Sequence, residues 1–242
     1  MNKYFHPASG RGYADHDWLR SYHSFSFANY YNPEMMGFGT LRVINDDWIA
    51  PGKGFGTHPH RNMEIITIPL TGAVKHEDTL GSSAVVKAGE VQVMSAGRGV
   101  AHSEFNVSQS EELTLFQIWV LPNKHNVEPR YDQKEFDETE RQNKFQLIVS
   151  PDGRDGSLFI HQDAYFSRID LTPGKKVSYR PYSSRNGLYC LSINENILIQ
   201  DQPLAPRDAL GTDLSTEEIL ISNDKESTSH ASVLLMEVPL SV

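Results

Sequence analysis

The 242-residue sequence predicts an all-β protein made of two tandem β-barrels joined by a short connector. Three observations predict it. Short runs rich in β-branched and aromatic residues recur between glycine, proline and Asn/Asp turns. A polar stretch, "NKHNVEPRYDQKEFDETERQNK" (123–144), is almost free of aliphatic residues and divides the chain into roughly equal halves. The halves also match each other. "PGKGFGTHPH" (51–60) aligns without a gap on "PGKKVSYRPY" (173–182), an offset of 122 residues, with Pro-Gly-Lys at the start and Pro ninth in both.

The strand-like runs of the first half are "TLRVIND" (40–46), "EIITIPLTGAVKHED" (64–78), "EVQVMSAG" (90–97) and "LTLFQIWVLP" (113–122). Thr71-Gly72 reads as a hairpin turn, and the offset carries Gly72 onto Asn194, in the similar setting "CLSINENILI". The connector is expected to be exposed, with a short helix around 132–141. Beyond it, "FQLIVSP" (145–151) reads as a strand and "HASVLLMEVPL" (230–240) as the final one. The expected domains are 1–130 and 131–242.

Apolar content of 38% and charged content of 22% suit a globular chain. A net charge of −9 argues against nucleic acid or an anionic membrane as the main partner, since both need a basic footprint. Cys190 is the only cysteine, so no internal disulfide forms and a reducing compartment fits. There is no apolar run of membrane-spanning length, and the opening residues lack a signal-like apolar core. A soluble, cytoplasmic protein is the expectation.

The chemistry concentrates at two places. His58 and His60 stand one residue apart, so on an extended strand they project from one face. Pro59 between them cannot donate a ladder hydrogen bond and favours a strand end or edge. "MSAGRGVAHSEFN" (94–106) repeats the spacing with His102 and Glu104, again after a glycine turn. On facing strands the two pairs supply three imidazole nitrogens and one carboxylate oxygen, a set suited to a first-row divalent metal. Glu64 is a competing carboxylate: a ligand, a hydrogen-bond partner of a ligand histidine, or a water-facing side chain. In the second half Arg180 and Tyr182 replace the histidine pair, so one barrel is expected to bind metal and the other not.

Gly52, His58-Pro59-His60, Glu64 and Gly72 resemble the first motif of the cupin superfamily, with the last gap one residue long. Gly89, Gly97, His102 and Asn106 resemble the second, although Ser95 replaces the expected proline and His102 comes two residues late. These departures, with "SFSFANYYNPEMMGFGTLRVINDD" (24–47) and "DGRDGSLFIHQDA" (152–164), are similar to the pirin family within the cupins. The resemblance implies a bicupin with an N-terminal metal-binding domain and a metal-free C-terminal one. It implies iron(II) held by His58, His60, His102 and Glu104, with zinc, manganese, nickel or copper as alternatives, and it leaves Glu64 a supporting role. Some pirins act as quercetin 2,3-dioxygenases on a flavonol and O2. For that reaction Glu104 is the candidate catalytic base that takes the 3-hydroxyl proton. Other pirins are regulators that work through protein partners, the alternative function here.

Bland readings attach to the rest. "KHED" (75–78) reads as a solvated, charged strand end. His6, His16, His23, His125, His161 and His230 read as structural or surface residues. Cys190 reads as a buried core thiol, and "FSFANYY" (25–31) as core packing and strand pairing.

Overall fold

The computed structural model describes residues 2–213 and 218–241, and their regular structure is antiparallel strand with a few 3-10 turns. β1 (Lys3–His6) opens the chain and is followed by β2 (Gly12–Asp15), β3 (Leu19–His23), β4 (Leu41–Ile49) and β5 (Gly54–His60). Next come β6 (Glu64–Thr71), β7 (Ala73–Asp78), β8 (Ser83–Lys87), β9 (Glu90–Ser95) and β10 (Val100–Asn106). β11 (Leu113–Val120), β12 (Arg130–Glu135), β13 (Gln146–Ser150), β14 (Leu158–Phe159) and β15 (Tyr165–Leu171) follow. The chain continues through β16 (Lys176–Tyr179), β17 (Asn186–Ser192), β18 (Ile197–Ile199) and β19 (Gln202–Leu204). It ends with β20 (Ala209–Asp213), β21 (Ile219–Asn223) and β22 (Ala231–Pro239).

These strands form two compact units. One comprises Gly12–Phe136 and Leu158–Gln162, the other Met1–Arg11, Asp137–Ser157 and Asp163–Val242. Relative to a division at 130/131, β1 goes with the C-terminal unit and β12 with the N-terminal one. The cause is edge pairing: Tyr4 pairs with Gly211 of β20, and Asp132 with Val93 of β9. The N-terminal unit has one sheet in the order β12-β9-β6-β11-β4-β3-β2 and a second in the order β5-β10-β7-β8. In the C-terminal unit the orders are β1-β20-β17-β22-β15-β13 and β16-β21-β18-β19. Apart from β2, the two lists correspond strand for strand, so the similarity seen over ten residues extends through the fold. Membrane-spanning helices are absent among the described residues.

Two local expectations are corrected. Thr71-Gly72 is not a hairpin turn: Gly72 (φ +72°) carries the chain from β6 in one sheet to β7 in the other, where β7 pairs with β8 and β10. The passage from β17 to β18 through Asn194 is the same kind of crossing. Apolar runs on either side of a turn look alike whether the chain doubles back or changes sheets. The helix expected over 132–141 is instead the end of β12 and one 3-10 turn, Glu138–Arg141, whose first turn is capped by the Asp137 carboxylate accepting from the Thr139 N–H.

Cross-strand register shows how the two interiors differ. In the N-terminal unit His23, Asn45, Gln117, Thr67 and Gln92 stand directly opposite one another across β3, β4, β11, β6 and β9. The corresponding C-terminal row is Leu147, Ser167, Leu235, Cys190 and Leu210. Leu235, Cys190 and Leu210 sit inside one apolar cluster with Ile169, Leu188 and Val233. In the N-terminal unit the polar row lies between two separate clusters. One contains Ile49, Leu113 and Leu115, the other Ile65, Met94 and Val100. One barrel is packed through its middle, and the other is polar there. Truncating Leu235→Ala is therefore expected to cost about 2–5 kcal/mol of stability, read as a lower urea midpoint. A loss within about 0.5 kcal/mol, typical of a surface site, would contradict this packing.

Candidate metal centre

β5 and β10 pair antiparallel with His58 directly opposite His102. The register slips between His102 and Glu104, which faces Phe55. That bulge sits at the glycine-rich turn. A Cβ on Gly54 would come within 2.1 Å of the Glu104 carbonyl oxygen, so only glycine lets β5 approach β10 this closely. β5 is an edge strand, as Pro59 required.

Three of the predicted residues converge. The ring centroids of His58, His60 and His102 are 4.5–4.9 Å apart, and one nitrogen from each lies within 4.8 Å of the others. The fourth, Glu104, groups with His102 and His76 on the same criterion. Its carboxylate is buried and cradled by the polar row: Oε1 accepts from Gln92 Nε2 (3.0 Å) and Thr67 Oγ1 (3.2 Å), and Oε2 from Gln117 Nε2 (2.7 Å). A carboxylate has about four lone-pair positions, so this cradle leaves one for a further partner.

Hydrogen bonds set the imidazole tautomers. His58 Nδ1 lies 2.8 Å from the Gly56 carbonyl oxygen, which can only accept, so Nδ1 carries the proton and Nε2 keeps its lone pair. His76 Nε2 lies 3.0 Å from the Asp78 carboxylate and is likewise a donor, which makes His76 Nδ1 an acceptor. His102 Nδ1, 3.4 Å from that atom, is then the donor. The chain Asp78–His76–His102 thus turns the lone pair of His102 onto Nε2, a buried atom with no hydrogen-bond partner. Burial also keeps His60 and His102 neutral. It pushes His60 down to about 4, helped by His102 and His58, and His102 down to about 3, helped by His58 and His76. Three converging imidazoles, an orphaned ring nitrogen and a nearby carboxylate fit a first-row divalent metal.

This corrects the reading of "KHED". His76 is fully buried, not solvated, and stacks on Tyr131 with centroids 4.5 Å apart. Burial works against the Asp78 anion, but bonds from His76, Ser82 and Leu80 outweigh it and hold the carboxyl below its ordinary value. His23, read as structural or surface, is buried, bonded to Asn45, and beside a cavity of about 940 Å³ that His58, His60, His102 and Glu104 share. Phe27 and Tyr30 of the aromatic stretch line the same space. Gln92 and Gln117, each a lone polar residue in an apolar run, were the overlooked signal for the cradle.

Glu64 stands apart. It accepts from Ser95 Oγ (2.6 Å) and lies 3.3 Å from His161 Nδ1, so its recorded partners include none of the three clustered histidines. Burial pushes its carboxyl up from 4.5 to about 7, against the Ser95 hydroxyl, His161 and Arg130. The folded state therefore holds this proton more tightly than the unfolded chain does. The resulting stability is full below pH 4.5 and is lost as the pH rises through about 7. Glu64→Gln is expected to flatten the fall in urea midpoint between about pH 5 and pH 7.5. An unchanged slope would contradict the assignment.

Comparison with known proteins extends these observations. Residues 5–120 match the family described as Pirin, and residues 147–238 match the quercetinase C-terminal cupin domain. The chain is 44% identical over 236 residues to a protein of Escherichia coli strain K12 named quercetin 2,3-dioxygenase, covering 98% of each. It is 40% identical over 206 residues to a pirin-like protein of Caulobacter vibrioides, covering 85% of this chain and 88% of that one. Among solved structures, the bacterial pirin YhhW of Escherichia coli in complex with nickel(II) superposes with a TM-score of 0.91, at 42% identity and 100% coverage of both chains. The duplicated all-β architecture is thus a bicupin, and the chain belongs to the pirin family.

Proposed function

We propose that this protein is a metal-dependent dioxygenase that cleaves flavonols such as quercetin with O2, releasing a depside and carbon monoxide. The observation that carries the reading is the convergence of three histidines and a cradled carboxylate on a large cavity in the barrel with the polar middle. The names of its relatives support it, as does the nickel(II) complex of one of them. His58, His60, His102 and Glu104 are the proposed ligands, iron(II) the proposed metal, and the N-terminal domain the metal-binding one. The C-terminal domain is proposed as metal-free. There Arg180 pairs with Glu218, and the buried Glu237 carboxylate is already taken by Tyr179 Oη, Asn186 Nδ2 and the N–H groups of Tyr182 and Ser183.

When bound, the metal supplies a Lewis acid for the 3-hydroxy-4-keto oxygens of the flavonol and lowers the pKa of that hydroxyl. The chain's own residues do the rest. Glu104 has one lone-pair position outside the cradle, which would hold the metal; it takes the hydroxyl proton there on loosening from the metal, while Gln92, Thr67 and Gln117 hold the carboxylate in place. Trp18, Phe27, Phe55 and Trp119 line the cavity with rings that orient a planar substrate and exclude water.

Oxygen uptake with quercetin is the direct test. Uptake should require metal, stop on chelation and return with iron(II). Absence of metal-dependent uptake would overturn the dioxygenase and leave the regulatory, partner-binding reading. Asp78→Asn should loosen the His76–His102 chain and weaken metal affinity by about 10–100-fold in a competition titration. Unchanged affinity would show that the chain does not orient His102.

A further inference from the structure

The cavity has a second polar wall, carried by β3 and β4 rather than by β5 and β10. β3 and β4 place Ser21 opposite Asp47 and His23 opposite Asn45, and all four side chains line the cavity while being at most 4% exposed. Ser21 Oγ donates to Asp47 Oδ1, and His23 Nδ1 donates to Asn45 Oδ1 at 2.8 Å. The fold does not require polar groups here. Asp47 pairs with Leu115 where Ile169 pairs with Val233 in the C-terminal unit, and Ile169 and Val233 are fully buried core residues. Burying polar side chains without need costs stability, so their presence beside an open cavity points to a ligand.

We propose that Ser21, His23, Asn45 and Asp47 form the subsite for the substrate's phenolic hydroxyl groups, with Asp47 as the specificity-determining residue. This rests on the flavonol reading and deepens it: the substrate class becomes flavonols that carry hydroxyls beyond the chelating pair. Three features support it. The Ser21 hydroxyl reaches one Asp47 oxygen, and the carboxyl keeps lone pairs for a ligand hydroxyl. Burial, opposed by Ser21 and reinforced by Asp46 and Glu104, lifts this carboxyl to about 7, so it can donate as well as accept. A run of aromatic contacts also connects this wall to the clustered histidines. His23 packs on Phe27 (5.3 Å), Phe27 edge-on to Trp119 (5.4 Å), and Trp119 edge-on to His60 (4.9 Å). Tyr30 stacks over His23 from the other side of the sequence turn, and only glycine at Gly12 leaves room for its ring. A planar molecule lying along these rings meets the clustered histidines at one end and His23 of this wall at the other.

The test compares anaerobic binding of quercetin with that of 3-hydroxyflavone, which keeps the chelating pair and lacks the other hydroxyls. The metal-loaded protein should bind quercetin at least about tenfold tighter, because a site built for hydroxyl groups rejects the analogue without them. Asp47→Leu should bring the ratio close to one while keeping 3-hydroxyflavone affinity and metal content. Asp47→Asn, which can still hydrogen-bond, should restore most of the preference. Equal binding of both ligands by the parent protein overturns the subsite alone. A ratio unchanged by Asp47→Leu overturns it too, as does equal loss of both ligands with metal retained. If Asp47→Leu does not fold, Ser21→Ala must lower the ratio, and failure to do so counts against the proposal. Binding of neither flavonol by the parent protein overturns the flavonol reading itself.

Discussion

The antiparallel pairing of β5 with β10 sets His58 opposite His102 and so decides where the chemistry of this protein lies. Displacing β5 by one residue would turn His58 and His60 to the other face and away from His102. Several features hold the register. Gly54 allows the two backbones to meet, the bulge between His102 and Glu104 absorbs the extra residue, and β10 is fixed on its far side by β7, where His102 pairs with Asp78. β7 also delivers His76 to the buried side of His102, so one strand sets both the register and the tautomer.

The duplicated fold shows how one architecture supports two interiors. The strand orders agree apart from β2, so topology alone does not distinguish the two interiors. The side chains on one cross-strand row do. Leu235, Cys190 and Leu210 close the C-terminal barrel, whereas Gln117, Thr67 and Gln92 keep the N-terminal one open and spend their hydrogen bonds on Glu104. The stability lost by leaving a barrel unpacked is offset by satisfied hydrogen bonds, and what remains is a cavity with an anion in its wall.

Much of this was legible in the sequence. The all-β class, the tandem arrangement and the His58, His60 and His102 cluster followed from strand-length runs and i, i+2 spacing, because a strand's period of two is a local property. The illegible parts depend on pairing between distant strands. β1 and β12 are edge strands whose partners lie far along the chain. His76 and His23 looked like scattered histidines because nothing local reveals which face of a strand meets the cavity. The crossing at Gly72 looked like a hairpin for the same reason. Gln92 and Gln117 were visible as polar interruptions of apolar runs, yet only the register shows them opposite Thr67 and turned toward one carboxylate.

The central claim is that one metal ion sits among His58, His60, His102 and Glu104. Anomalous diffraction from crystals of the metal-loaded protein, collected on either side of the metal's absorption edge, tests it most directly. The account predicts a single strong peak in the N-terminal domain, bonded to Nε2 of His102 and to nitrogens of His58 and His60. A peak on His76, one in the C-terminal domain, or none in fully loaded protein would contradict it.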